Sequence, residues 1–211
     1  MEEIDIAQDL SNSIVVWDVE TTELIDRKKC NLCDMEVSVA CALVFDATDK
    51  TLENATRRTF WHSSVTALST MNDLCSMLAS CKAHVAFNGL RFDMIVIKKH
   101  FCDDANYQSA LQRLHDPYQD ISSIGSYSLN VLLKTNDLSP KTASGKEAPK
   151  MWAEGRYEEL EAYCMSDVEL LAKLITKADS VKIPLMHARI PLSISTALSN
   201  EHLANIHLID N

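Results

Sequence analysis

The nine residues IVVWDVETT, at positions 14–22, run from apolar to acidic and are the stretch on which the fold depends. Residues 14–19 are rich in β-branched side chains, which is typical of a strand that is buried on both faces. Side chains alternate along a strand, so Asp18 and Glu20 should project from the same face at its end. A charged group there is costly unless it is paired or bound to a cation. This segment alone does not distinguish a metal site from a solvated strand end.

Beyond this strand, apolar runs of strand length alternate with helical patterns. The sequence predicts further strands at residues 37–45, 56–61 and 83–87, and helices at residues 69–81, 92–101, 126–134 and 157–177. Residues 135–150 contain two prolines and a glycine and are predicted to form a loop. Strands followed by strand–helix alternation favour an α/β fold, with a mixed central β-sheet flanked by helices.

Length and composition favour one domain. The 211 residues, 46% of them hydrophobic, suit a core at about residues 12–178, with residues 179–211 as a C-terminal tail packed on it. An acidic N-terminus without a long apolar run predicts no membrane contact. Seven cysteines without an export signal predict free thiols in a reducing, intracellular compartment, the cytoplasm or the nucleus. Cys30 and Cys33 have the spacing of half a zinc site, but no matching second pair follows.

The formal net charge of −10 argues against one way of binding nucleic acid, in which positive charge coats the strand and counterions are released. A metal-dependent nuclease remains possible, because its acidic site is neutralised by the bound cations and needs only a local basic rim. For any one of the candidate rim residues, a scattered solvated cation is the favoured interpretation. These candidates are residues 27–29, Arg57, Arg58, Lys98, Lys99, Lys141, Lys146 and Lys150.

A second acidic segment lies between the strand predicted at residues 83–87 and the apolar helix that follows it. Asp93 occupies the first turn of that helix, where an acid complements the helix dipole without any further role. The strand-to-helix junction, however, should face the same sheet edge as Asp18 and Glu20, which is where ligand sites of such folds are found.

The helix predicted at residues 157–177 carries an acid on its buried face. The apolar residues that define its core stripe are Leu160, Cys164, Leu171 and Ile175. At about 100° per residue, Asp167 falls within this stripe and Tyr163 lies at its edge, with the i to i+4 spacing that places the hydroxyl beside the carboxylate. Acids seldom occupy such a position for packing, although a hydrogen bond to a neighbouring helix is an alternative. Asp167 is therefore the most informative candidate for a functional group.

In this order the three motifs resemble those of the DEDD 3′–5′ exonucleases of the ribonuclease H-like superfold. The other subgroup of that family has histidine five positions before the last aspartate, where this chain has Ala162, so the resemblance is to the tyrosine subgroup. The matching residues are Asp18-Val19-Glu20, Asn88 through Phe92-Asp93, and Tyr163 through Asp167.

Two further stretches bear on this resemblance. The segment from Gly145 through Trp152 and Gly155 is similar to DNA-polymerase-type proofreading exonucleases. Many relatives follow the first motif with Thr-Gly, whereas this chain has Thr22-Glu23, so the resemblance does not define the path around the terminal nucleotide there.

The resemblance implies an enzyme that releases 5′-mononucleotides from the 3′ end of DNA, or of RNA, with single-stranded 3′ ends as its partner. Two Mg²⁺ or Mn²⁺ ions would hold the scissile phosphate, and hard oxygen ligands suit both metals. The implied metal ligands are Asp18, Glu20, Asp93 and Asp167. Tyr163 would orient the attacking water, completing the catalytic set. The implied substrate contacts are Thr21, Thr22, Asn88 and Phe92.

Three other readings remain open. The chain could be a structure-directed endonuclease, which the sequence does not separate from an exonuclease. It could be a catalytically inactive ribonuclease H-like module that binds nucleic acid or a protein, although such modules usually lose acids and none is missing here. It could also be an interaction scaffold with solvated acids, against which the position of Asp167 argues.

Overall fold

A five-stranded mixed sheet forms the centre of the structure, a computed structural model that describes residues 9–24, 31–66, 69–140, 146–184 and 189–198. The strand order is β3-β2-β1-β4-β5. β1 pairs antiparallel with β2, and β2 with β3, whereas β1–β4 and β4–β5 are parallel. The predicted α/β fold with a mixed central sheet is confirmed. The strands are β1 Ser13–Thr21, β2 Val37–Asp46, β3 Thr56–Trp61, β4 Ala83–Val85 and β5 Leu114–His115.

Eight α-helices lie in the described part of the chain. They are α1 Met71–Ser80, α2 Asp93–Ile97, α3 Asp104–Arg113, α4 Pro117–Ser122, α5 Leu129–Thr135, α6 Ala148–Ala153, α7 Tyr157–Ile175 and α8 Ser195–Leu198. A small second sheet pairs β6 Val181–Lys182 with β7 Arg189–Ile190. The helices predicted at residues 69–81, 126–134 and 157–177 are confirmed as α1, α5 and α7.

The sheet separates two apolar cores, as the sequence of β1 requires. Ile14 and Val16 pack on one face with α5 and α7, and Val15 and Trp17 pack on the other face with α1, α2 and α3. All four side chains are fully buried. The prediction that this strand is buried on both faces is therefore confirmed, and β1 is fixed from both sides.

Two predicted elements are shorter than the sequence suggested. The strand predicted to reach residue 87 ends at Val85, because the carbonyl of Ala86 accepts a hydrogen bond from the Gly89 amide (3.4 Å) and starts a turn. The helix predicted at residues 92–101 is confirmed as α2 but has only five residues, and a 3₁₀ turn at Lys98–His100 follows it. Lys98 and Lys99 are exposed, which ends the buried face there.

The turn after β4 has strict backbone requirements. Asn88 adopts a left-handed conformation with φ of 63°, a region in which asparagine is tolerated better than most residues. A Cβ atom at Gly89 would lie 2.5 Å from the Cβ of Ala86. The chain can make this turn only because position 89 has no side chain.

Buried Asp116 fastens this turn to the next helix. Its carboxylate accepts hydrogen bonds from the backbone amides of Asn88 (2.8 Å) and Leu90 (3.2 Å). It also accepts one from the amide of Tyr118 (3.0 Å) and so caps α4. Pro117 occupies the first turn of that helix, where a missing N–H costs nothing. One side chain therefore satisfies three backbone donors in two separate segments.

The segment between residues 102 and 122, with α3, β5 and α4, was not predicted from the sequence. Neither was α6, which begins within the predicted loop at residues 135–150 and ends at Ala153. β5 has two residues, so its existence depends on the parallel partner β4 rather than on its own pattern. The helices α4 and α6 have six residues each, which leaves too few turns for a periodic signal.

His84 ties the parallel half of the sheet together. The indole Nε1–H of Trp17 donates to Nδ1 of His84 (3.0 Å), so the other ring nitrogen, Nε2, carries the proton and donates to the Ala110 carbonyl (2.9 Å). Burial lowers the pKa of His84 to about 3. The imidazole is therefore neutral, and it links β1, β4 and α3 from a fully buried position.

The described part of the predicted tail contributes apolar residues to the core beneath α7. Leu192 and Ile194 are buried in that core, and β6 and β7 form the small hairpin before them. The remainder of the tail, at residues 185–188 and 199–211, lies outside the described residues. The single-domain assignment stays a prediction. Within the described chain, no helix combines the length and the apolar character that a bilayer-spanning helix needs.

Replacing His84 by glutamine should remove a pH dependence from the free energy of unfolding. Unfolded His84 binds a proton below its ordinary pKa of 6.5, whereas the folded protein resists protonation down to about 3. The contribution of His84 to the free energy of unfolding is thus complete above pH 6.5 and is lost as the pH falls from 6.5 toward about 3. Between pH 7 and pH 5, wild type should lose about 2 kcal/mol relative to His84→Gln. Urea unfolding of both proteins in chelator measures this, and a constant difference would contradict it.

Replacing Asp116 by alanine should destabilise the protein by about 2–4 kcal/mol, because two turn amides and one helix cap lose a buried acceptor. The matched control is Asp103→Ala. Asp103 caps α3 through the Asn106 amide (2.7 Å) from an exposed position, so its loss should cost about 1 kcal/mol. Chemical unfolding of both variants gives the comparison. Equal losses would mean that Asp116 acts as an ordinary cap and does not hold the turn.

Candidate metal centre

The end of β1 brings two carboxylates to the α7 face of the sheet. Ile14 and Val16 lie in the core beneath α7, and the two-residue alternation of the strand continues through Asp18 and Glu20 on that face. Both acids are half-buried. They lie opposite Cys41 and Val39 of β2, and a bulge between Glu20 and Thr21 ends the regular register.

α7 adds a third carboxylate to this pair. The helix packs across β1 and β2, and the thiol of Cys164 lies 3.5 Å from the carbonyl oxygen of Asp18. One turn later, Asp167 is buried, with 5% of its surface exposed, as its place on the core stripe predicted. One ligand oxygen from each of Asp18, Glu20 and Asp167 can be chosen such that all three lie within 4.8 Å of one another.

Asp93 lies beside this group but is not a member of it. It is the first residue of α2 and is 2% exposed, and its Oδ1 accepts a long hydrogen bond from the amide of Val19 (3.4 Å). The β1–β4 pairing ends at Val16 and Val85, so this amide lies beyond the reach of β4. The early end of β4 thus leaves the space that Asp93 enters.

The electrostatics of these acids favour a bound cation. Burial raises the pKa of Asp93, and the negative charge of Asp18 raises it further. Adjacent carboxylates repel each other when both are ionised, and a divalent cation removes that repulsion. The donor set consists of hard carboxylate oxygens, which Mg²⁺ and Mn²⁺ prefer. Asp18, Glu20 and Asp167 therefore fit such an ion by number, spacing and chemistry.

Tyr163 lies next to the acids at the edge of the buried stripe. It is half-buried and hydrogen-bonded to Asp167. Burial raises its pKa well above the ordinary value, and the charges of Asp167 and Glu20 raise it further. The side chain is consequently a neutral phenol, and its O–H donates to the carboxylate of Asp167.

The four predicted substrate contacts lie at two places. At the end of β1, the hydroxyl of Thr21 donates to the Glu23 carbonyl (2.8 Å) and the amide of Thr22 donates to the Glu36 carbonyl (3.0 Å). Asn88 and Phe92, both half-buried, belong to the turn between β4 and α2. Their roles toward a substrate stay predictions.

One residue at this edge escaped the sequence analysis. Asp116, which holds the turn containing Asn88, also acts on Asp93, since its negative charge contributes to the raised pKa of that acid. The signal available in the sequence was the Asp-Pro pair at positions 116 and 117, which marks a helix start. Nothing local indicates that the same carboxylate reaches a turn 28 residues earlier.

The predicted basic rim is partly engaged elsewhere. Arg57 pairs with Glu169 on α7 (2.6 Å), and Lys99 pairs with Glu36 (2.5 Å). The ammonium group of Lys98 lies over the ring of Tyr107, 5.0 Å from its centre. Residues 27–29, Lys141 and Cys30 of the predicted zinc half-site lie outside the described residues.

Three solved structures are similar to this chain. One is a family B DNA polymerase from the hyperthermophilic archaeon Pyrobaculum calidifontis, with a TM-score of 0.54, 11% identity, and 78% of this chain matched to 24% of that one. The second is zinc-bound exonuclease I of E. coli with single-stranded DNA, with a TM-score of 0.49, 12% identity, and 80% of this chain matched to 41% of that one. The third is the same enzyme with an oligonucleotide, with a TM-score of 0.42, 15% identity, and 74% of this chain matched to 43% of that one.

In each case this chain spans less than half the length of the matched protein. At 11% identity, the similarity to the polymerase shows a shared fold and nothing finer. No curated protein sequence matches the chain. A family model for the RNase H superfamily, in contrast, matches residues 15–178. That range includes all four acids, Tyr163 and Asp116. By this match, the chain belongs to the RNase H superfamily.

Proposed function

We propose that this protein is a divalent-metal-dependent 3′–5′ exonuclease, which hydrolyses the phosphodiester bonds of DNA, or of RNA, and releases 5′-mononucleotides. The observation that carries the proposal is the group formed by Asp18, Glu20 and Asp167, whose ligand oxygens lie within 4.8 Å of one another. Membership of the RNase H superfamily supports phosphodiester chemistry at this group.

In this proposal, the metal ligands are the carboxylates of Asp18, Glu20, Asp93 and Asp167. Two Mg²⁺ or Mn²⁺ ions would supply a lowered pKa for the attacking water and charge stabilisation for the departing 3′ oxygen. The protein's own contribution is rigidity, because β1 is buried on both faces and Asp167 is held in the buried face of α7. Rigid ligands keep the acids together despite their mutual repulsion.

Tyr163 orients the attacking water rather than accepting its proton. A phenol whose pKa is raised stays protonated at neutral pH and is a poor base. Its hydrogen bond to Asp167 fixes the hydroxyl beside the carboxylates. There the phenolic oxygen can accept a hydrogen bond from the attacking water and hold that water in line with the phosphate. This role corresponds to the tyrosine subgroup of the DEDD exonucleases.

The terminal nucleotide is placed against the turn between β4 and α2, with Asn88 and Phe92 on one side and Thr21 and Thr22 on the other. Single-stranded 3′ ends are the proposed partner. The family B DNA polymerase that shares the fold acts on DNA, which favours DNA over RNA in this proposal. All six cysteines in the described residues are free thiols, which supports an intracellular, reducing location.

With Mg²⁺ or Mn²⁺, the protein should shorten 5′-labelled single-stranded DNA from its 3′ end and release 5′-mononucleotides, and chelator should stop the reaction. Asp167→Asn should reduce the rate at least a thousandfold, on the order expected when a metal ligand is lost at a phosphoryl-transfer site. Asparagine has nearly the same shape, so the fold should survive. Gel electrophoresis and chromatography of the products measure both effects.

The matched control is Glu169→Gln, two residues further along α7, where the carboxylate pairs with Arg57 away from the acids. Its activity should equal that of wild type. Circular single-stranded DNA distinguishes an exonuclease from an endonuclease, since a circle has no 3′ end from which nucleotides can be removed. Cleavage of the circle would replace the exonuclease proposal, and intact linear DNA with both metals would refute nuclease action.

Tyr163→Phe should lower kcat at least tenfold while leaving metal affinity nearly unchanged, because only the hydroxyl that orients the water is removed. Phenylalanine keeps the packing of the ring against the core beneath α7. Single-turnover kinetics and titration with Mn²⁺ measure the two quantities separately. A kcat equal to that of wild type would remove Tyr163 from the mechanism, and a weakened metal site would make its role structural.

A further inference from the structure

Four aromatic side chains form a continuous cluster beside the candidate metal centre. The ring of Trp61 lies 5.7 Å from that of Tyr157, and Tyr157 lies 5.3 Å from Trp152. Trp152 in turn lies 5.7 Å from the ring of His62. The members come from the end of β3, the residue after it, α6, and the first position of α7. We call these four residues the aromatic surface.

Strand register and helix geometry both locate this surface relative to the acids. Glu20 lies opposite Val39, and Val39 lies opposite Trp61, so these three side chains form one row across the sheet. Strands are about 4.8 Å apart, which puts Trp61 roughly 10 Å from Glu20. Along α7, Tyr157 precedes Tyr163 by six residues, or about 9 Å. The nucleotides next to a phosphate bound at the acids would span this distance.

The aromatic surface is anchored on one side and open on the other. Trp61 and Trp152 pack against the core beneath α7. Tyr157 has 39% of its surface exposed, and Trp61, His62 and Trp152 are half-buried. Rings that are fixed by a core and still reach solvent lose little entropy when a flat ligand stacks on them.

The charges around the surface point to stacking rather than to phosphate contacts. Arg156, the nearest cation along the chain to Tyr157, is held by Glu154 (2.9 Å) and Glu159 (2.6 Å). The whole chain has a net charge of −10. Counterion release therefore contributes little here, whereas base–aromatic stacking needs no positive charge and accepts every base.

We propose that the aromatic surface stacks the bases of a single-stranded nucleic acid on the 5′ side of the scissile phosphate. The inference rests on the proposed exonuclease function and adds a site for the strand that remains after cleavage. The sheet order gives the direction in which the nucleic-acid strand crosses the sheet. β4 and its turn with Asn88 lie on one side of β1, and β2 and β3 lie on the other. The terminal nucleotide takes the β4 side, and the preceding bases take the β3 side.

Substrate length tests this site. The p-nitrophenyl ester of thymidine 5′-monophosphate has a scissile phosphate but no bases on the 5′ side of it. Long oligothymidylates have a scissile phosphate and also bases on its 5′ side. In the Tyr157→Ala variant, KM for long oligothymidylate should rise about tenfold, the loss expected for one stacked base, with kcat within about twofold of wild type. Kinetics with the p-nitrophenyl ester should change by less than about twofold.

Three further variants complete the experiment. Tyr157→Phe keeps the ring and should restore the KM of wild type. Trp152→Leu fills most of the volume, so it keeps the fold if alanine at that site would not, and it should raise KM as Tyr157→Ala does. Phe101→Leu is the matched control, because Phe101 packs edge-on against Tyr107 (5.3 Å) on the opposite face of the sheet. Its KM should stay that of wild type.

A similar loss with both substrates, or unchanged KM in both Tyr157→Ala and Trp152→Leu, would overturn the stacking site. If wild type hydrolyses neither substrate, the proposed function fails. The stacking site is then tested separately, by the binding of oligothymidylate. Fluorescence anisotropy of 5′-fluorescein oligothymidylate in chelator should then show about tenfold weaker binding by Tyr157→Ala. Equal affinity of variant and wild type, or no binding by wild type, would refute the site.

Discussion

Repulsion among carboxylates at the end of β1 is the constraint to which the rest of the structure responds. Asp18, Glu20 and Asp167 bring their oxygens within 4.8 Å of one another, and Asp93 lies beside them with its pKa raised by burial and by Asp18. Such a group opposes folding unless a cation compensates it, because each charge is partly removed from water and faces others of the same sign. The fold tolerates the group because the two elements that carry most of it are fixed elsewhere. β1 is buried on both faces, and α7 contributes most of its length to the core beneath it.

The irregular features near the acids have a common physical cause. β4 has three residues, so the amide of Val19 lacks a strand partner and is left for Asp93. A longer β4 would pair with that part of β1 and exclude the carboxylate. Stopping β4 early requires a tight turn, which in turn requires a left-handed Asn88, no side chain at position 89, and an acceptor for the turn's amides. Asp116 is that acceptor, so a residue without a place in the motifs supports the position of Asp93.

The sequence predicted features whose cause is local and missed those whose cause is distant. The 19 residues of α7 give five turns of periodicity, which suffices to place Asp167 on the buried face and Tyr163 at its edge. The alternation in β1 likewise places Asp18 and Glu20 together. The end of β4, the two-residue β5 and the short α4 depend on pairing and hydrogen bonds between segments far apart in the chain, and single-sequence patterns do not report them. The aromatic surface is hidden for the same reason, since Trp61 and Tyr157 are 96 positions apart and meet only when α7 crosses the sheet.

An acidic protein can bind a polyanion if attraction is concentrated where chemistry needs it and replaced elsewhere by an uncharged interaction. In the proposed arrangement, cations at the acids hold the scissile phosphate, and the rings on the β3 side hold bases. The two sides of β1 then differ in kind. On the β4 side, a turn fixed by Asp116 presents side chains in set positions, which suits one nucleotide with a free 3′ end. On the β3 side, rings that are anchored in the core and still reach solvent accept any base, because every base has a flat face to stack. A defined site for the last nucleotide beside a sequence-tolerant site for those before it is what repeated removal from an end requires, since each cleavage must leave a new end that binds equally well.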